Sequence, residues 1–505
     1  MPACKAFHSE PAPGTWRGES SSACGGASFP FHDFMKQCAH RMEPSFPAGS
    51  FMLASIIIPV YGQTDMTLRC LEALAASRES SSLLHGASRG ENQAVPEVLL
   101  INNGAQDFPA EGKRLARHLA EYFGSAGRMF SPPRNLNFAG ACNLGAREAQ
   151  GRYICFLNND TLPAPSWLPP LLNALEQDDS LLMASPLLLY PPRGLPDDAR
   201  VSPQWRRDGE IQHIGVTLRP DMRVRHLYEY WPADHPVTRR ARRFDIVTAA
   251  SLVMRRADFL EAGAFDEEFR NGFEDVELCS RLVRRTLERG KERRRAAFVP
   301  ESVVWHFCGS TPGRKTHEEH NRHILAARKA SSCMVPDEHL HLLEDGYELR
   351  LTPWLTWQPA LSLRQEALLD RELKKQPSPA EVAALLREYP LWLKGRLWLV
   401  SHAENPRLAL ELAMRALHFD TSPAPLEHIF RLAGELGLAE LRRSAADSLR
   451  AALLPPRERN ERLLRLRAEL RGRCPELADQ PDIVRADEAR FLAREEAPLR
   501  ALLGE

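Results

Sequence analysis

The 505-residue chain has no stretch approaching the roughly 18 uninterrupted apolar residues of a membrane span, and its first residues lack the apolar core of a signal peptide. A cytoplasmic protein is therefore expected, attached at most peripherally to the inner face of the cell membrane. Net charge is also missing: 66 Lys and Arg offset 66 Asp and Glu, which removes any whole-chain pull toward nucleic acid. Local basic clusters remain at Arg239, Arg240, Arg242 and Arg243 and at Arg293 to Arg295. A solvated face is their ordinary reading, and a membrane-facing one is the alternative for the first cluster. The ten cysteines contain no CxxC pair, and Cys70, Cys142, Cys155 and Cys279 fall inside apolar segments. Buried, reduced thiols are the expectation, and with them a reducing compartment.

What is present is ordinary globular composition, 43% hydrophobic and 26% charged, over a length that suggests two to four domains. Residues 1–50 are rich in Ser, Gly, Pro and Ala without periodicity and are expected to be poorly ordered. The run Leu53-Ala-Ser-Ile-Ile-Ile-Pro59 then reads as a buried strand. Met66, Leu68, Leu71 and Leu74 follow at helical spacing, and Ser77 to Gln93 reads as a surface loop. The alternation continues with a strand at Val98–Ile101, a helix carrying Leu115, Leu119 and Tyr122, and a short strand around Met129. A small-residue helix from Ala139 to Ala149 and the strand Tyr153–Leu157 complete it.

Strand alternating with helix predicts an α/β fold whose sheet is mostly parallel and flanked by helices. The connections Val60-Tyr-Gly62, Asn102-Asn-Gly104 and Asn158-Asn-Asp160 all leave strand C-termini and should converge on one crevice. Pro191 to Phe244 reads as loops and an irregular hairpin. Beyond about residue 335 the pattern is helical throughout, giving domains at 51–330 and 335–505. One apolar face there carries Leu408, Leu410, Leu412, Ala413, Ala416 and Leu417, and another Leu432, Leu436, Leu438, Leu441, Ala445 and Leu449. Ala416-Leu417 and Ser448-Leu449 recur about 32 residues apart, near the period of tetratricopeptide-like helix pairs.

Five segments carry the chemistry: SIIIPVYG (Ser55 to Gly62), LLINNGAQD (Leu99 to Asp107), NLNFAGACNLGAREAQGRYICFLNNDT (Asn135 to Thr161), GAFDEEFRNGFEDVELCSRL (Gly263 to Leu282) and VVWHFCGST (Val303 to Thr311). In this order they resemble a family 2 glycosyltransferase of the GT-A fold over roughly residues 53–325, of the type that builds bacterial surface polysaccharides, often on lipid carriers. The resemblance implies an inverting transfer of sugar from a nucleotide-diphosphate sugar to a hydroxyl of a glycan or lipid-linked acceptor. A leaving diphosphate needs a divalent cation, magnesium or manganese, and hard cations select carboxylate oxygens. Asp160 is the carboxylate at the edge of the Tyr153–Leu157 strand and matches the family's metal aspartate, while Asn158 stands where the family has its first aspartate. His306 matches a histidine that completes the metal or diphosphate site in related enzymes, and Ser310 and Thr311 are candidate phosphate contacts.

The acceptor hydroxyl must lose its proton as it attacks, which calls for a carboxylate near the anomeric carbon. Asp275 matches the family's base and Glu274 its partner, although two acids at a helix N-terminus are also favourable charges in their own right. Pro59, Val60, Tyr61 and Asn102 correspond to contacts with the base. Asn135, Gly140 and Asn143 correspond to the helix beside the diphosphate, where close backbone approach wants glycine. His317, His320 and His323 share a helical face at i, i+3, i+6 and read as solvated rather than as a zinc site. A second function class stays open: a noncatalytic sugar-nucleotide-binding or scaffold protein, favoured by the amides Asn158 and Asn102 in place of carboxylates. Either way, the C-terminal helices are available to an acceptor or a protein partner.

Overall fold

The computed structural model describes residues 53–81, 96–191, 209–290, 292–308, 317–328, 333–477 and 496–504. The expectation of poor order over 1–50 lies outside them. The chain divides into two units, one running to Thr217 and resuming over Val224–Val335, the other taking Leu218–Arg223 and Pro336–Glu505.

The first unit is built on a mixed sheet. Its opening half is parallel, in the order β3 (Gly127–Phe130), β2 (Glu97–Asn102), β1 (Ala54–Val60), β4 (Tyr153–Leu157). Ile56, Ile57 and Ile58 in β1 and Val98 to Ile101 in β2 are buried, as expected of aliphatic strands covered on both faces. The helices Thr64–Ser81, Pro109–Phe123 and Asn137–Glu148 alternate with these strands. Helix therefore continues to Ser81 where a loop is expected from Ser77, because Ser77 is buried and its hydroxyl donates to Leu74 O at 2.8 Å.

The second half of the sheet is mixed. β11 (Ser251–Arg255) runs antiparallel between β4 and β6 (Leu181–Tyr190), and β12 (Arg295–His306) follows, parallel to β6, with β10 (Arg242–Phe244) antiparallel at its outer edge. Thus β6 and β12 run the same way as β4, and β11 and β10 run against them. Two short strands close over the end of this half. β5 (Thr161–Pro163) pairs with the end of β12, setting His306 opposite Thr161, and β7 (Glu210–His213) pairs with the end of β6. The short strands β8 (Val216–Leu218) and β9 (Val224–His226) pair with each other, so the stretch expected to hold loops and an irregular hairpin does contain a hairpin.

The second unit carries the expected C-terminal helices, but it also has an antiparallel hairpin, β13 (Glu348–Leu351) and β14 (Trp357–Ala360), where helix is expected throughout. Leu349, Leu351, Trp357 and Ala360 are among its buried positions, so strand-like burial is present within a largely helical stretch. The helices Leu363–Leu373 and Pro379–Glu388 start at Ser362 and Ser378, each in a capping box. The buried stripe farther on runs through Ala409, Ala413, Ile429 and Ala445, while Leu408 and Leu438 are exposed. The expected faces are otherwise kept: Ala413, Ala416, Ala445 and Leu449 are buried, and Leu410, Leu412, Leu417, Leu432 and Leu441 pack against the core. Among the described residues no helix is long and apolar enough to cross a membrane.

Candidate active site

The segment after β4 is pinned on both sides. Asn158 N donates to Ala250 O at 2.9 Å, Thr161 Oγ1 donates to Asn158 O at 2.7 Å, and Phe307 N donates to Asp160 O at 2.9 Å. Asn159 turns toward the helix Thr64–Ser81, where its Nδ2 meets Thr67 Oγ1 at 3.0 Å. Asn158 and Asp160 instead meet His306: its Nε2 lies 3.2 Å from Asp160 Oδ1 and 3.2 Å from Asn158 Nδ2. Asn158 Oδ1 is buried and has no hydrogen-bond partner among the described residues. On the other edge of the ring, His306 Nδ1 lies 2.6 Å from Gln212 Oε1, and Gln212 Nε2 donates to His306 O at 3.1 Å.

These atoms fit a divalent cation. Carboxylate oxygen, amide oxygen and imidazole nitrogen are the ligand types such ions take. The 3.2 Å between Asp160 Oδ1 and His306 Nε2 is about what two neighbouring ligands span on an ion with bonds of roughly 2.0–2.2 Å.

The other candidate acids stand at the start of the helix Glu274–Glu288. Asp275 accepts from Ala249 N at 3.1 Å through Oδ2 and from Val276 N at 2.8 Å through Oδ1. Glu274 is buried and turns back to accept from Gly272 N at 2.6 Å. Phe273, immediately before them, sits in the left-handed region at φ 70°, a strained conformation for a bulky residue. Asn321 braces this turn, accepting from Arg270 N and donating to Arg270 O and Gly272 O. The adjacent residues Ala249 and Ala250 link the two groups, since Ala250 holds Asn158 and Ala249 holds Asp275.

Residues 55–191 match the family model described as Glycosyl transferase family 2. This stretch is a family 2 glycosyltransferase domain. The chain is 28% identical over 220 residues to the O-antigen biosynthesis protein RfbC of Myxococcus xanthus, covering 39% of this chain and 16% of that protein. It therefore spans less than a fifth of that relative's length. It is 24% identical over 312 residues to the N-acetylglucosaminyl-diphospho-decaprenol L-rhamnosyltransferase of Mycobacterium tuberculosis, covering 60% of this chain and 88% of the relative. Solved structures with weaker likeness include the mannosyltransferase PcManGT from Pyrobaculum calidifontis in complex with GDP-Man and Mn2+, at 13% identity and TM-score 0.33, covering 83% of this chain and 92% of that one. GalNAc-T7 with UDP, GalNAc and Mn2+ matches at 17% identity and TM-score 0.36, covering 51% of this chain and 44% of that one.

Asn158 and Asp160 of the family 2 domain come together with His306, and Asp275 is linked to them through one segment. The other expected residues divide by what their side chains do. Asn143 is buried with its amide fully engaged: Nδ2 donates to Phe265 O and Glu267 Oε1, and Oδ1 accepts from Phe265 N. Gly140 lies where a Cβ would come within 2.9 Å of Leu136 Cβ. Asn135 Oδ1 accepts from Asn103 Nδ2 and from Asn137 N, both at 2.8 Å. Val60 and Asn102 are buried, paired in register at the ends of β1 and β2, whereas Tyr61 is exposed and meets Phe108 edge-on at 5.7 Å. A hydrogen bond to Asp107 and the charge of that carboxylate raise the Tyr61 phenol above its ordinary pKa.

Of the basic residues between 239 and 243, Arg242 is buried over the Tyr228 ring and Arg243 pairs with Asp178 at 2.6 Å. A continuous basic face is therefore not formed there. His320 and His323 are exposed, and the group His317, His320 and His323 is absent from the metal-capable clusters among the described residues. Ser310 and Thr311 lie outside the described residues. Gln212, Asn103, Thr248 and Asn321 escape a reading of the sequence alone. Gln212 carries no usable signal there, because the four residues of β7 are too few to establish a strand period.

Proposed function

We propose that the chain is a metal-dependent, inverting glycosyltransferase that moves a sugar from a nucleotide-diphosphate sugar to a hydroxyl of a glycan or lipid-linked acceptor. One observation supports this reading: Asn158 and Asp160 meet at His306, and the adjacent Ala250 and Ala249 bond to Asn158 and to Asp275. Magnesium or manganese, held by Asp160 and His306, supplies when bound the positive charge that a leaving diphosphate requires. The Oδ1 of Asn158, without a partner among the described residues, completes that group toward the ion or the donor's phosphates.

Asp275 acts as general base. Its two oxygens are oriented by backbone N–H groups, so a lone pair is held in place to take the acceptor's proton as the hydroxyl attacks the anomeric carbon. Glu274, turned back on Gly272, fixes the turn that presents Asp275. Pro59, Val60, Tyr61 and Asn102 contact the nucleotide base. Asn135 and Gly140 lie along the diphosphate, and Asn143 contributes by holding Phe265 and Glu267 beside them.

The rhamnosyltransferase and O-antigen names of the relatives favour a lipid-linked or polysaccharide acceptor. In this proposal residues 51–330 are the catalytic domain of a cytoplasmic enzyme working at the inner membrane face. Residues 335–505, with their tetratricopeptide-like helix pairs, hold the acceptor or a protein partner.

The test is turnover of UDP-, GDP- and dTDP-sugars with manganese or magnesium by the wild type, Asp160→Ala and Asp275→Asn. Metal-dependent nucleotide release is expected, abolished by Asp160→Ala. Asp275→Asn should lower kcat about 10²–10⁴-fold with donor binding retained. Donor binding without turnover by any form, with any acceptor extract, would favour the sugar-nucleotide-binding scaffold instead.

A further inference from the structure

Gln212 has no place in the chemistry above, yet it makes two hydrogen bonds to a single residue, His306, at 2.6 Å and 3.1 Å. Both residues are buried, Gln212 at 5% and His306 at 2% exposure. The second bond decides the geometry of the first. A backbone carbonyl only accepts, so the side of the Gln212 amide facing His306 O must be its NH2 group. The opposite side, facing His306 Nδ1, is then the amide oxygen, which also only accepts. Nδ1 must therefore carry a proton, and the neutral ring keeps its lone pair on Nε2. That nitrogen faces Asp160 Oδ1 at 3.2 Å, and the Nδ2 of Asn158 stands ready to donate to it, also at 3.2 Å. The neighbouring residue, His213, is bonded to His226 instead, at 2.9 Å between their Nδ1 atoms, so adjacent positions of one short strand serve two different histidines.

We propose that Gln212 is a positioning residue that locks His306 in the Nδ1–H tautomer, so that Nε2 is presented as a ligand to the divalent cation beside Asp160. The inference rests on the cation reading given under Proposed function. A histidine held only by packing could rotate or shift its proton to Nε2, which would remove the lone pair from the site. Holding it from both the ring and its own carbonyl fixes ring plane and tautomer together. Such outer partners of a ligating histidine typically change metal affinity about 10–100-fold when removed.

The experiment is titration of the full chain with Mn2+ in the presence of UDP, followed by the loss of the free-ion EPR signal. Asp160→Ala, His306→Ala, Gln212→Leu, Gln212→Glu and the Gln212→Leu/His306→Ala double variant are compared with the wild type. Gln212→Leu is expected to weaken Mn2+ binding about 10–100-fold and, with His306→Ala, to be no worse than His306→Ala alone. Gln212→Glu keeps an oxygen acceptor for Nδ1–H but loses the donor to His306 O, so it should bind Mn2+ more tightly than Gln212→Leu and more weakly than the wild type. This second variant tests the idea even if Gln212→Leu folds poorly. Mn2+ binding unchanged in a folded Gln212→Leu, or lost equally in Gln212→Glu, overturns the tautomer lock and leaves the cation reading standing. Binding that Asp160→Ala and His306→Ala do not alter overturns the cation reading itself.

Discussion

At the scale of single residues, the side chains that shape this site mostly act on the backbone. Asn103 is buried at the exit of β2 and binds three successive residues: Oδ1 accepts from Leu136 N at 2.7 Å, and Nδ2 donates to Asn135 Oδ1 at 2.8 Å and to Asn137 O at 3.0 Å. It thereby holds the turn whose Asn137 adopts the left-handed φ of 56°. Asn103→Ala leaves those groups unmatched and should cost about 1–3 kcal/mol, read as a lower unfolding midpoint together with weaker donor binding by calorimetry. Asn103→Asp keeps the acceptor and loses both donors, so an intermediate effect is expected; equal loss in both would mean the Leu136 contact contributes nothing. His213 makes a different kind of prediction. Burial, reinforced by His226 and His306, holds its folded-state pKa well below the ordinary 6.5. As pH falls through about 6.5 the unfolded chain takes up this proton and the folded chain does not, so the stability contributed by a neutral His213 is full above that pH and shrinks below it. The fall in melting temperature between about pH 7 and pH 5 should be shallower in His213→Gln than in the wild type. Parallel slopes for the two proteins would show that this group does not govern acid sensitivity.

Elements show the same division between what is local and what is not. The helix Asn137–Glu148 sits on β1 at Gly145, where an added Cβ would lie 2.4 Å from Ile57 Cγ2. Gly145→Ala gains up to about 1 kcal/mol of helix propensity but forces apart two packed elements, and overpacking of about 1–3 kcal/mol should win, giving net destabilisation in urea unfolding. Gly472, on the helix Pro456–Arg473, has nothing among the described residues within 4 Å of such a Cβ, so the same substitution there should be neutral or stabilising. The glycine of a small-residue helix is visible in the sequence; the partner that makes it necessary is not. The same holds for the sheet. β1, β2 and β4 are aliphatic runs whose burial follows from composition, and their polar exits at Asn102 and Asn158 can be read from where each run stops. β5, with three residues, and β7, with four, have too few positions to establish a period, and they become strands only by pairing with β12 and β6. Those two strands bring Thr161 and Gln212 to His306. Hence the metal-binding candidates are legible as residue types in a familiar order, while the residue that orients His306 is hidden in a segment that reads as loop.

For the whole molecule, the second unit is discontinuous in sequence, taking Leu218–Arg223 along with Pro336–Glu505. Within that unit Arg219 and Glu338 form an ion pair at 2.7 Å, with only 6% and 5% of their side chains exposed, and Arg219 Nη1 also donates to Trp357 O at 3.0 Å. Leu218 N and Asp337 N each find partners across the same junction, Asp337 Oδ1 at 2.9 Å and Leu218 O at 3.0 Å. A short internal segment is thus fastened to the C-terminal part by a buried charge pair and backbone bonds. Removing one member of a buried pair strands the other without water, which usually costs about 3–5 kcal/mol, whereas replacing both by apolar groups of similar size is often neutral. Glu338→Leu alone should therefore markedly lower the midpoint of the second unit's unfolding, followed by hydrogen exchange at the hairpin of β13 and β14. Adding Arg219→Met to it should restore most of the loss. If the double variant is as unstable as Glu338→Leu, the pair is not the fastening and the backbone bonds of Leu218 and Asp337 carry it instead.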